Sequence, residues 1–183
     1  MRKTYAFLIL GATLLASTAA AQRVDNQKEY DACLALAAHD AEEAFEAAIA
    51  WAGLGGGDPA QHCAAVALYR MGKYDHAAQR LQTLAQRSRS ASAELRAGML
   101  AQAAQGWMLH GDLDRALAAA DAAIDLEPND AALLVDRAQI RGQAGDFTGA
   151  LIDVDTAIGY GWDTADALVF RAAALRALGR ADE

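Results

Sequence analysis

Apolar residues in the middle of the chain recur at helical intervals. Leu100, Ala103, Ala104 and Trp107 follow one another at steps of three, one and three, which sets them on one face of an α-helix. Beyond Gly111 a second face follows, with Ala116, Ala120 and Ala123 at steps of four and three. Glu127-Pro128-Asn129-Asp130 closes it, because Pro128 offers no N–H to carry the helix on. The pattern predicts two antiparallel helices between Ala97 and Asp130, drawn close by the small side chains between them.

The pattern returns along the chain. Gly111-Asp112-Leu113-Asp114-Arg115-Ala116, Gly145-Asp146-Phe147-Thr148-Gly149-Ala150 and Gly72-Lys73-Tyr74-Asp75-His76-Ala77 each carry a glycine, a hydrophobe two residues on and an alanine five residues on. Gly179-Arg180-Ala181-Asp182 begins another copy. Gly111 and Gly145 are 34 residues apart, as are Gly145 and Gly179, and a fainter copy, His39-Asp40-Ala41-Glu42-Glu43-Ala44, precedes Gly72 by 33. Each glycine stands where one amphipathic stretch ends and the next begins. A helix stops there in the left-handed conformation that glycine adopts at little steric cost. A fixed period of this size predicts stacked helix pairs.

These units resemble the tetratricopeptide repeat, in which a large-x-x-apolar-small-x-x-aromatic run is followed by alanine, a bulky residue, alanine and proline. Residues 97–130 carry that run with Trp107 in the aromatic position. Residues 131–164 keep Leu134, Ala138, Ala150 and Ala157, but hold Arg141 in the aromatic position and Trp162 in place of the proline. Residues 58–96 keep Ala65, Leu68 and Ala77, and a degenerate first unit in 22–57 has Ala32, Ala35, Ala44 and Trp51. Residues 165–183 supply one further first helix. The resemblance implies an all-α, right-handed superhelical solenoid of antiparallel helix pairs over essentially everything after residue 21. It extends, more softly, to alanine-rich repeat proteins exported to the periplasm of Gram-negative bacteria. Asp182-Glu183 stop where the alanine of a second helix should follow, so the last helix is either a polar cap or the start of a unit that continues. Leu168, Phe170, Ala172 and Leu175 are too apolar for an ideal cap, and further residues are expected.

The resemblance also implies a use. First helices of successive repeats line a concave surface that takes an extended peptide or a partner helix. Its groove-facing columns fall here on Glu29, His62, Val66, Tyr69, Arg70, Ala101, Gln105, Met108, Val135, Gln139, Val169 and Arg176. The paired lysine and asparagine clamp with which chaperone-binding relatives hold a terminal carboxylate is not reproduced, so that ligand is not carried over.

The amino terminus sets the compartment. Met1-Arg2-Lys3 is a basic head, Tyr5 to Leu15 is apolar apart from Gly11 and Thr13, and Ala16 to Ala21 are small residues. This is the pattern of a secretory signal peptide, with cleavage expected after Ala21. The alternative, an uncleaved anchor, is disfavoured because the apolar run falls short of the roughly 20 residues that span a bilayer. A periplasmic product without a stable membrane anchor is expected. Losing residues 1–21 removes Arg2, Lys3 and no acid, taking the formal charge from −8 to −10. A chain so acidic is a poor ligand for a phosphate backbone or an anionic bilayer, which excludes nucleic acid as a partner class. Export also bears on Cys33 and Cys63, the two cysteines of the chain. In an oxidising compartment, and each in the first helix of neighbouring units, they are expected to form a structural disulfide, with two separately buried thiols as the alternative.

Candidate chemistry is thin. Gly55-Gly56-Gly57 has no Lys-Ser or Lys-Thr after it to meet phosphate and reads as an interhelix loop. His39, His62, His76 and His110 form no H-E-x-x-H pair, so no metal is expected. Ser88 to Ser92 reads as a polar connection between units, with no base nearby to activate a hydroxyl. Asp121, Asp125, Asp153 and Asp155 read as solvated helix faces. No cofactor and no catalysis are expected. The expected function is an exported interaction scaffold or adaptor in envelope assembly, with a self-associating structural protein as the competing class and an enzyme with an unrecognised site as a third.

Overall fold

A computed structural model describes residues 26–183; the expected signal segment lies outside the described residues. Among the described residues there are nine helices and no strand: α1 Asn26–His39, α2 Ala41–Gly53, α3 Gly57–Arg70, α4 Tyr74–Arg87, α5 Ala93–His110, α6 Leu113–Leu126, α7 Ala131–Gln143, α8 Phe147–Gly159 and α9 Ala165–Ala177.

The helix ends repeat as regularly as the sequence does. Gly72, Gly111, Gly145 and Gly179 all adopt positive φ, between 72° and 92°. In each case the next residue turns its N–H back five residues: Lys73 to the carbonyl of Leu68, Asp112 to Trp107, Asp146 to Arg141 and Arg180 to Leu175, at 2.9–3.0 Å. Carbonyls that a helix terminus leaves unpaired are thereby satisfied. After Gly111 and Gly145 an aspartate then starts the following helix, whereas Lys73 starts α4 without a side-chain cap. The Asp112 carboxylate accepts the N–H of Arg115 and the Asp146 carboxylate that of Gly149, at 3.0 and 2.9 Å.

Consecutive helices pack antiparallel, α1 with α2 through α8 with α9. First helices also approach their successors, α1 against α3, α5 against α7 and α7 against α9. Second helices have no comparable contact with one another. The array is therefore drawn together on the side of the odd-numbered helices and splayed on the side of α2, α4, α6 and α8.

The largest core cluster joins α3 to α7 around Trp107, whose Nε1–H donates to Gln82 Oε1 at 2.8 Å. Close packing there depends on small residues. A Cβ at Gly106 would stand 3.0 Å from the Ala78 methyl and 3.2 Å from the Tyr74 carbonyl oxygen.

In the next unit the expectation of solvated aspartates fails at Asp153, which is 2 % exposed. Its two oxygens accept from Arg137 Nη2 and Nε at 2.7 and 2.9 Å and from Arg141 Nη1 at 2.8 Å. Arg137 extends the network to Asp121 at 2.7 Å, and Arg171 pairs with Asp155 at 2.7 Å. The Asp153 hydrogen bonds, above all, raise the Arg137 guanidinium pKa and hold it protonated against partial burial.

Cys33 on α1 and Cys63 on α3 are bonded, with alpha carbons 6.2 Å apart. The bridge ties the first two helix pairs through a small core of Ala48, Ala64 and the two half-cystines.

Candidate binding groove

The inner, odd-helix side carries polar side chains that reach from one first helix to the next. The Tyr30 hydroxyl on α1 donates to His62 Nδ1 on α3 at 2.8 Å, and the other ring nitrogen of His62 meets Gln102 Oε1 on α5 at 3.1 Å. Further along, Gln105 Nε2 donates to Asp136 Oδ2 on α7 at 3.4 Å. Four first helices are thus cross-linked by side chains along a single face.

Burial sets the electrostatics. It lowers the His62 pKa, with the Gln102 hydrogen bond working the other way, and the imidazole stays neutral into mildly acidic conditions. Burial likewise raises Tyr30, with the Asp31 charge adding to it, so the phenol keeps its proton and serves as donor. A neutral ring that accepts at Nδ1 carries its hydrogen on Nε2, facing Gln102. Burial also raises Asp136, against the opposing Gln105 hydrogen bond.

Beside His62 and Gln102 a cavity of 590 Å³ opens among α3, α5 and α7. Leu95 and Met99 supply apolar wall, and Glu94 and Asp130 place carboxylates on it. Leu95 is 55 % exposed. The surroundings of His62 are a phenol and a carboxamide, with no activated hydroxyl or thiol, so the ladder fixes spacing between helices and offers donors, acceptors and apolar surface to a ligand. Among the described residues no three His, Cys, Asp or Glu side chains converge on a possible metal position. None of the described helices is long and apolar enough to cross a membrane.

A tetratricopeptide repeat protein from Parabacteroides merdae, known from its crystal structure, superposes with a TM-score of 0.67 at 15% identity over 85% of this chain. The chain has the tetratricopeptide-repeat fold. It spans 62% of the length of that protein. A looser match, with a TM-score of 0.44 and 17% identity over 84% of each chain, is the TPR2AB domain of yeast Sti1 in complex with an HSP90 peptide. No protein-family profile matches the chain, and neither does a curated protein.

On the tetratricopeptide fold the predicted groove residues separate into three groups. Glu29, Arg70, Val169 and Arg176 are exposed. His62, Tyr69, Gln105 and Gln139 are half-buried; Tyr69 sits edge-on to Tyr74, ring centroids 5.2 Å apart, and Gln139 borders a 250 Å³ cavity with Phe170. Val66, Ala101 and Met108 lean on the core. Val135 belongs to the core itself at 7 % exposure, so it is no groove residue. The column that contains Ala101, Val135 and Val169 shows why. Its residues lie at the edge of the packed face, and Val169, on α9 with no following helix among the described residues, is 63 % exposed. Tyr30, Gln102 and Asp136, which complete the ladder, were not singled out by the sequence.

Proposed function

We propose that the protein is an exported interaction scaffold that holds a peptide or helix of a partner protein along its odd-helix face, in assembly of the bacterial cell envelope. The observation that carries this reading is the ladder Tyr30–His62–Gln102 with Gln105–Asp136, which fixes four first helices at set spacing beside an open cavity with apolar wall. A pre-organised surface of this kind binds without first ordering itself. Glu94 and Asp130 beside Leu95 and Met99 favour a segment that combines an apolar side chain with a basic one. The disulfide suits an oxidising compartment, in keeping with export.

The test is site-specific photo-crosslinking in intact cells. A crosslinker at Gln102 is expected to trap a defined protein, and one at Ile152, exposed on α8, is expected not to. With that protein in hand, Tyr69→Ala or Met108→Ala should weaken binding by about 1–2 kcal/mol. A strong fall in melting temperature with unchanged affinity would mean that both side chains only pack. Export is tested by fractionation and amino-terminal sequencing, with Gln22 expected as the first residue.

A second reading has its own support. Leu168 and Val169 on α9 are 50 % and 63 % exposed, a surface suited to self-association. A stable homodimer in size-exclusion chromatography with light scattering, lost in Leu168→Glu, would favour it over the groove.

A further inference from the structure

The outer side of the array carries a feature that a groove on the inner side does not use. Because the backbones of α2 and α4 stay apart, α3 is left as the floor of a cleft of 550 Å³ between them. Phe45, Leu68 and Leu84 give it apolar surface, and Lys73, Arg80 and Arg87 line one wall. Among the described residues no carboxylate lines it.

Arg115, Arg137, Arg141, Arg171 and Arg180 are each ion-paired with an aspartate or glutamate. Among the described residues Lys73, Arg80 and Arg87 form no ion pair, although acids outnumber bases 24 to 16 in the sequence. Among the described residues Arg70, Arg89, Arg96 and Arg176 lack an ion pair as well; what sets Lys73, Arg80 and Arg87 apart is that one cleft gathers them. Arg80 is nonetheless held in place. Its Nη1 donates to Gln61 Oε1 at 2.6 Å, and its guanidinium lies 5.8 Å from the centre of the Phe45 ring. A guanidinium fixed by a neutral partner keeps its charge available to an incoming anion.

Spacing decides what kind of anion fits. Lys73, Arg80 and Arg87 follow at seven-residue intervals, two helical turns or about 10.5 Å each, so the charges form a line along α4 and do not converge on one point. A phosphate needs donors gathered around one centre. A polypeptide with carboxylates every third residue in polyproline II form, about 9.3 Å apart on one face, or every seventh in a helix, matches the line, and its apolar side chains would meet Phe45, Leu68 and Leu84. We propose that this cleft is a second docking site, for an acidic segment of a protein, separate from the odd-helix face.

The probe is a fluorescein-labelled peptide of four Glu-Glu-Leu triplets, titrated with the oxidised chain at low salt and followed by anisotropy. Binding should weaken as ionic strength rises. Arg87→Glu should lower affinity at least about tenfold, whereas Arg89→Glu, two residues on in the exposed connection and identical in charge change, should leave it nearly unaltered. Arg80→Gln, which keeps a polar group beside Gln61, should weaken binding by less than Arg87→Glu. Absence of peptide binding overturns the proposal, and so does an equal loss in Arg87→Glu and Arg89→Glu, which would reduce the effect to net charge. Inorganic tripolyphosphate serves as competitor: displacement of the peptide at a lower concentration than unlabelled peptide requires would make this a compact-anion site and overturn the proposal as well.

Discussion

At three positions 34 residues apart, the pair α5/α6 carries Ala103, Trp107 and Ala119 where α7/α8 carries Arg137, Arg141 and Asp153. The two pairs share one register and each first helix closes at a glycine of positive φ, although α5 begins about a turn earlier than α7. In one pair an indole fills the space that two alanines leave, and in the other a buried carboxylate is clamped by two guanidinium groups. The same interhelix volume is filled by dispersion and apolar burial in one case and by charge in the other. The two solutions differ in how they fail. An apolar core loses contacts in proportion to what is removed, whereas a buried ion pair that loses one member leaves the other charged and unsolvated.

The sharpest way to break the comparison is Asp153→Ala, which takes the buried carboxylate from Arg137 and Arg141 and leaves them only the more exposed Asp121 and Asp146. A loss of about 3–5 kcal/mol is expected in denaturant unfolding of the oxidised chain. Should the variant unfold within about 1 kcal/mol of the parent, the network is not a stabilising clamp in the sense of a buried pair. The first two helix pairs add a third solution, a covalent one. Separated by 30 positions in sequence, Cys33 and Cys63 close a loop worth about 3–4 kcal/mol on the chain-entropy account. Cys33→Ala/Cys63→Ala should show that loss in α1–α3, read as faster hydrogen exchange there than in α5 and α6. Two free thiols in the denatured, unreduced exported protein would remove the premise.

A constructive test follows from the register. Arg137→Ala/Arg141→Trp/Asp153→Ala rebuilds in α7/α8 the set that α5/α6 already uses. Replacing a buried ion network by packed apolar groups is neutral or stabilising by about 1–4 kcal/mol, so the triple variant should unfold no earlier than the parent, in contrast to the single Asp153→Ala. A triple variant as unstable as the single one would show that the α7/α8 space differs in shape from its counterpart.

The legibility of the molecule divides along the same line. Repeat period, helix ends and the place of Trp107 were open to inspection, because apolar spacing and glycine act locally. Asp153 was not, since a carboxylate on an amphipathic helix looks solvated until its partners are known, and these lie 12 and 16 residues back on another helix. The signal was present all the same: Arg141 in the aromatic column, with Arg137 and Asp153 where the preceding unit has alanine, puts opposite charges at three core positions of one unit. Val135 was misplaced for a related reason, since a repeat column gives direction from the helix axis and not the depth of the neighbours around it. Tyr30, Gln102 and Asp136 escaped because reach between helices depends on side-chain length and tilt, which periodicity does not encode.

The smallest expected effect concerns pH and sets the inner ladder against the ion network. His62 is neutral and half-buried, and burial above all holds its folded pKa below the ordinary imidazole value of about 6.5. The unfolded chain therefore takes up a proton at higher pH than the folded one. Stability from this group is complete above the unfolded value and is lost as pH falls from about 6.5 through the folded pKa. Protonation also reverses one link of the ladder, because a ring with both nitrogens donating can no longer accept from the Tyr30 hydroxyl and can only donate to its oxygen. The Arg137 guanidinium, its pKa raised by the Asp153 hydrogen bonds, stays charged throughout this range, so the drop should be local to α1, α3 and α5. Thermal unfolding of the oxidised protein is expected to fall between pH 7 and pH 5, and His62→Gln, which keeps donor and acceptor without a titrating group, should flatten that fall. An identical pH dependence in His62→Gln would move the effect to another group and leave the ladder as a neutral spacer alone.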